Sequence, residues 1–316
     1  MKYGVLVFIC FAVTLLSCKN DDNGGPEAIP PSLLSDVAPE DDETIREFLN
    51  THFYNYEEFE TPPEGFDYRI VIDTIAGENA DKRPLMEDAE SITLNVSSSF
   101  LGLSAGEENI AHKLYYIEAR EGGGESPTYA DSTLVRYEGS LLDGTTFDEG
   151  NDFQWFDISR IEVRGFANGY AQLKTGTLDQ IVENPDGTYS FNDSGIGVIF
   201  IPSGLAYFNR TAGSIPSYSP LIFKLELGTF VPDTDHDNDG IPSIEEDLNS
   251  NGVLADDNTD ADQEPFNAIR PNYLDPDDDG DGIPTRDEIS DENGNIIIPY
   301  PDSDGDGVPD YLDPDN

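Results

Sequence analysis

Positive charge is scarce in this chain. Sixteen lysines and arginines stand against 65 aspartates and glutamates in 316 residues, a formal net charge of −49. A surface this acidic repels phosphate, which excludes nucleic acid as a natural partner. The three histidines, His52, His112 and His236, show no zinc spacing. Cysteine is limited to Cys10 and Cys18, so there is no CxxC pair, and no Ser-His-Asp or phosphate-loop pattern appears. Long apolar runs are also missing: Val5 to Leu16 is too short to span a bilayer comfortably.

Aromatic residues are well supplied between Val135 and Phe223, at Tyr137, Phe147, Phe153, Phe166, Tyr207 and Phe223. They fall on segments that alternate like strands and are joined by Gly-containing turns, so the rings are expected to converge on one dry concavity. A dry aromatic cup suits a prolyl ring.

Those motifs resemble an FKBP-type peptidyl-prolyl cis/trans isomerase over roughly Lys113 to Phe230. The resemblance implies an α+β fold, a twisted antiparallel sheet of five or six strands wrapped on one short helix. It also implies site residues. Tyr137 sits in V-x-Y-x-G, Phe147 and Asp148 in the D-G-x-x-F-D turn, and Phe153 opens the next strand. Val163 falls where a backbone N–H meets the substrate carbonyl, and Phe166 occupies the pocket floor, where the best-known members carry Trp. Tyr207 belongs to L-A-Y, Ile215 to I-P and Phe223 to the closing L-x-F-x-x-E-L strand. Two further departures stand out. Phe208 replaces a usual Gly, which predicts a different backbone course there. Leu178 to Gly197 is an insertion that reads as a hairpin around Pro185-Asp186-Gly187.

Such a pocket needs no nucleophile and no acid/base pair. An X–Pro bond turns over a barrier of about 18–20 kcal/mol because the amide loses resonance. Desolvation and donors placed for the twisted carbonyl favour the twisted state. The Tyr207 hydroxyl is the expected donor, with Asp148 orienting Tyr137 or accepting from substrate. The expected activity is folding catalysis on proline-containing polypeptides of the export pathway. The alternative is a chaperone or calcium-dependent surface protein that grips such segments without turning them over.

Leu15-Leu16-Ser17-Cys18 resembles a bacterial lipobox, which implies a signal peptide over 1–17, lipid on Cys18 and an outer-membrane lipoprotein facing the periplasm or the exterior. The acidic residues that follow resemble the export signal of surface lipoproteins in Bacteroidetes. Residues 18–40 read as a flexible tether. In 41–112, Ile45, Phe48, Leu49 and Phe53 predict a helix over Glu40 to Glu57 capped by Asp41 or Asp42. Tyr68 to Ile72, Ser91 to Val96 and His112 to Ile117 alternate as strands. The isomerase-like region covers 113–231.

Residues 232–316 read as a separate, extended object with little regular secondary structure. Asp235, Asp237, Asp239 and Glu246 recur in register as Asp277, Asp279, Asp281 and Glu288, and as Asp302, Asp304, Asp306 and Asp313. The carbonyls of Ile241, Ile283 and Val308 fall at position 7. This is the ligand order of a calcium loop, with oxygens from positions 1, 3, 5, 7 and 12. Position 8 is Pro242, Pro284 and Pro309, which lack the N–H that paired EF-hands use. The repeats therefore resemble thrombospondin type 3 repeats, which implies calcium as a structural ion. Asp247, Asn249 and Asn251 make a degenerate fourth loop. His236, at a non-ligand position, is expected to point to water.

Overall fold

The computed structural model describes residues 31–157, 161, 163–261 and 270–315. Cys18 and the leading apolar run lie outside the described residues. Among the described residues no helix is long and apolar enough to cross a membrane.

Helix α1 (Leu34–Thr51) begins inside the stretch read as a tether. Leu34, Val37, Ile45, Phe48 and Leu49 bury at helical spacing, so the apolar stripe runs further toward the amino terminus than the sequence reading placed it. Its first-turn N–H groups are satisfied from afar: the Glu107 carboxylate accepts from Leu34 at 2.7 Å and from Ser35 at 3.2 Å. Asp41 is therefore no cap. It is buried and accepts from both the backbone N–H and the hydroxyl of Ser203, each at 2.7 Å. Burial pushes its carboxyl up to about 6, against the pull of those two bonds. Phe53 leaves the helix for a short strand, β1 (His52–Tyr54), which pairs with β2 (Ile72–Thr74). Between them lies the short helix α2 (Tyr56–Glu60). Tyr68 to Val71, read as part of a strand, carries no ladder.

The main sheet holds β3 (Glu90–Val96), β4 (Ile110–Arg120), β5 (Ser132–Leu141), β6 (Thr146–Phe156), β9 (Gly195–Ile201) and β10 (Leu221–Val231). Their order is β3-β4-β9-β10-β5-β6, every pair antiparallel. The inserted hairpin supplies β7 (Ile181–Glu183) and β8 (Tyr189–Phe191), with Gly187 at φ +86 in its turn. The short helix α3 (Arg164–Tyr170) covers one face of the sheet.

Both faces are buried, so the strands alternate between two cores. Leu114, Val135, Ile199, Ile201, Phe223 and Leu225 point toward α3. Tyr115, Ile117, Val198, Phe200 and Ile222 point toward α1. α3 lies close on β9 because Gly165 and Gly169 face it: an added Cβ would come within 2.4 Å of Ile201 and 2.6 Å of Ile199.

Ser32–Asn316 form one compact unit, so the acidic segment is not a separate object. It is held by the Thr234 N–H to Asp131 at 3.2 Å, the Ser132 N–H to the Thr234 hydroxyl at 3.0 Å, and the Tyr129 hydroxyl to Asp247. Tyr273 and Leu254 pack on Ala130. The His236 side chain is buried rather than pointing to water. Its Nε2 lies 3.1 Å from Asp157 and its Nδ1 2.9 Å from the Ser243 hydroxyl. Among the described residues the segment's helices are short turns such as α4 (Thr285–Glu288), in line with the little regular structure expected.

Candidate functional sites: an aromatic cup and a chain of carboxylate loops

Tyr137 on β5, Phe147 and Phe156 on β6, Phe166 on α3 and Phe223 on β10 meet under the sheet. Phe166 is the hub, with ring centroids 4.9 Å from Phe223, 5.1 Å from Phe156, 5.6 Å from Tyr170 and 6.0 Å from Tyr137. Phe147 stands edge-on to Phe223 at 5.6 Å. Phe166 and Phe223 are buried while Tyr137, Phe147 and Phe156 are half-buried, which makes a floor with a rim. The interplanar angles are tilted or T-shaped, the arrangement favoured by the ring quadrupoles. Gly139, the glycine of V-x-Y-x-G, is required by this packing. A Cβ there would lie 2.6 Å from Phe147 and 2.9 Å from Phe223.

The Tyr137 hydroxyl donates to Asp148 at 2.7 Å, which fixes the ring at the rim. Burial, then the Asp148 bond and charge, push the Tyr137 hydroxyl above its ordinary pKa and keep it protonated. That bond is the contact an orienting role for Asp148 requires. Val163 directly precedes α3, and its carbonyl accepts from the Phe166 N–H at 2.9 Å. Ile215 is buried in the same core, and Tyr207 packs half-buried against it with the Arg210 guanidinium 5.8 Å from its ring. Phe208 sits at φ +49, the left-handed region a glycine would favour, and is held there by burial and a T-shaped contact with Tyr218 at 5.1 Å.

Phe153 does not belong to the cup. Gln154 pairs with Val135 and Phe156 with Thr133, which puts Phe156 on the cup face and Phe153 on the opposite one. There it packs on Phe191 at 5.2 Å with Arg136 above its ring. Sequence spacing missed Phe156, although an aromatic three residues from a motif position was the signal. In the inserted hairpin, Phe191 faces Phe153 and the Gly228 backbone rather than the rings of the cup.

In the acidic segment the carboxylates converge as their spacing predicted within each loop. Asp235, Asp237 and Asp239 form one group, Asp277, Asp279 and Asp281 a second, and Asp302, Asp304 and Asp306 a third. Glu288 and Asp313, expected at position 12, stand outside those groups, while Glu246 joins a further one with Asp239 and Asp278. Ile241 is buried, and Ile283 and Val308 are exposed. The backbone repeats closely. Position 4 is left-handed at Asn238, Ser250, Gly280 and Gly305, and position 6 at Gly240, Gly252, Gly282 and Gly307. The position-2 N–H donates to the position-9 side chain in three loops: His236 to Ser243 at 3.2 Å, Asp278 to Thr285 at 3.1 Å and Ser303 to Asp310 at 2.6 Å. The fourth, degenerate loop follows the same course, with the Gly252 N–H donating to Asp247 at 2.7 Å as Gly240 does to Asp235 at 3.0 Å. Burial, then neighbouring carboxylates, push Glu246 up to about 9 and Asp278 to about 10. Such a donor set suits a hard dication with oxygen ligands.

Comparison with known proteins bears on both regions. The chain is 27% identical over 176 residues to a probable FKBP-type 25 kDa peptidyl-prolyl cis-trans isomerase of Pseudomonas aeruginosa, covering 55% of this chain and 66% of the relative. It is 32% identical over 124 residues to the probable FKBP-type peptidyl-prolyl cis-trans isomerase FkpA of Neisseria meningitidis, covering 39% of each. The chain thus spans less than two thirds of the length of these relatives. A solved peptidyl-prolyl cis-trans isomerase of Pseudomonas syringae is 27% identical over 37% of this chain and 74% of its own, with a TM-score of 0.30. The model of the BamM C-terminal family matches residues 236–301. Over these stretches the chain is similar in sequence to FKBP-type peptidyl-prolyl cis-trans isomerases.

Proposed function

We propose that this protein is a peptidyl-prolyl cis-trans isomerase acting on proline-containing segments of exported polypeptides. In this reading it is an outer-membrane lipoprotein anchored through Cys18, and calcium orders its acidic loops. The ring cup with its Tyr137–Asp148 lock supports the catalytic part most directly. A prolyl ring enters against Phe166 and Phe223, and the surrounding rings exclude water from the imide. Losing water favours the twisted amide over the more polar planar one, and the Val163 N–H and Tyr207 hydroxyl are the assigned donors to substrate carbonyls. Each 1.36 kcal/mol gained this way is about tenfold in rate. Calcium, when bound, neutralises the carboxylates of the loops and so permits them to fold.

The test is a proline-limited refolding assay with the full chain. Acceleration that is lost in Phe147→Ala and reduced in Tyr207→Phe is expected. A wild-type rate equal to the uncatalysed one, with proline peptides still bound, would leave a binding protein in place of an enzyme.

A further inference from the structure

In the one-loop, one-ion pattern, position 2 supplies no ligand. Yet Asp278, position 2 of the second loop, is carried into the first loop's carboxylates, with ligand oxygens of Asp239, Glu246 and Asp278 all within 4.8 Å of one another. Glu246 and Asp278 are each 1% exposed, and neither carboxylate makes a hydrogen bond through either oxygen. The neighbouring hydroxyl oxygens accept from the backbone, Ser243 from the His236 N–H at 3.2 Å and Thr285 from the Asp278 N–H at 3.1 Å. Asp237 and Asp239 each spend one oxygen on the loop backbone, accepting from Asp239 at 3.3 Å and Ile241 at 2.8 Å, and keep the other buried and unbonded. One oxygen each from Asp237 and Asp239 and two each from Glu246 and Asp278 give six buried carboxylate oxygens without a hydrogen bond. Calcium takes six to eight oxygens, and carboxylates that are buried without protons or donors are otherwise costly.

We propose that Asp278 is a ligand to the divalent cation of the first loop, so that this site is built from two loops and forms only when both are in register. The inference rests on the calcium reading of the segment and adds a ligand from outside the loop. It explains why the second loop carries an aspartate at position 2, where the first has His236 and the third Ser303. Those two residues reach a hydrogen-bond partner instead: His236 Nδ1 lies 2.9 Å from Ser243, and the Ser303 hydroxyl donates to Asp310 at 2.7 Å.

The test is calcium titration of the full chain by calorimetry, counting ions and their affinities in wild type, Asp278→Asn and Asp287→Asn. Asp287 is exposed and controls for the lost charge. The expected result is that Asp278→Asn weakens one ion at least tenfold and leaves the others, while Asp287→Asn changes none. Equal affinities in Asp278→Asn and wild type would overturn the shared site and leave the single-loop reading intact. A wild type that binds no calcium would overturn the calcium reading itself. Should Asp278→Asn lack the wild-type circular dichroism in millimolar calcium, Asp278→Glu decides: it keeps the charge and displaces the oxygens by one methylene. One weakened ion then supports the site, and unchanged affinity refutes it.

Discussion

Replacing Gly139 by alanine tests whether the cup is held by the packing described. The new methyl would sit 2.6 and 2.8 Å from two Phe147 ring carbons and 2.9 Å from Phe223. Carbon atoms pack at about 3.5–4.0 Å, so relief requires the rings to move by roughly 1 Å. Overpacking of this kind costs about 1–3 kcal/mol, which for a body of this size lowers Tm by about 2–10 °C. A displacement of about 1 Å in a positioning group can cost up to about 100-fold in rate, so kcat/KM should fall about 10- to 100-fold in a proline-peptide assay. Phe147→Ala removes the nearer of the two clashing rings and vacates space into which the Phe223 ring can move. The double variant should therefore be no less stable than Phe147→Ala alone, a non-additivity that a mutant cycle measures. If Gly139→Ala keeps full activity and Tm, the rings do not stand where the cup requires them.

Three other outcomes follow from the geometry. Phe156→Ala should reduce isomerase activity at least tenfold and Phe153→Ala should leave it within about twofold, because only the first removes a ring of the cup; equal losses would restore the motif assignment. Asp41 has a folded pKa of about 6 against 3.8, so its effect on stability is most favourable below about pH 4 and is lost as pH rises through 6. Asp41→Asn, which still accepts from Ser203, should match wild type near pH 4 and exceed it by up to roughly 3 kcal/mol at pH 7, and parallel stability curves would refute this. Chelating calcium should unfold the loops from Asp235 to Asp313, seen as increased protease sensitivity there; a cleavage pattern indifferent to millimolar calcium would defeat the assignment.

What the sequence made legible was whatever period, spacing or backbone chemistry encodes locally. The strand pair of Ser91 to Val96 and His112 to Ile117 shows in alternation, and Asn or Gly at positions 4 and 6 marks left-handed turns in three of the loops. Features decided by distant chain were hidden. α1 starts at Leu34 because Glu107, 73 residues away, satisfies its first N–H. Phe156 takes the cup face because it shares it with Gln154, which stands opposite Val135, and Phe153 takes the other; that pairing is set by β5, which no motif reports. His236 reads as a spare polar residue until the fold brings Asp157 to it.

The docking of the degenerate loop carries the calcium prediction into the cup. α3 is gripped from two sides. On one, Gly165 and Gly169 press it onto β9. On the other, the Arg164 guanidinium donates to the Asn251 carbonyl at 3.2 Å, and the Asn168 amide reaches the Gly252 carbonyl at 3.4 Å. Burial lowers the Arg164 pKa to about 10 while Asp256 and Asp247 pull it back, so the acidic segment offsets the cost of seating a cation beside the helix. Phe166, the hub of the cup, lies between Arg164 and Asn168 on that helix. Loss of the loops removes one of its two supports, and isomerase activity should therefore fall with chelation while the sheet remains folded. Activity unchanged when the loops are protease-sensitive would mean that the β9 contacts alone position Phe166.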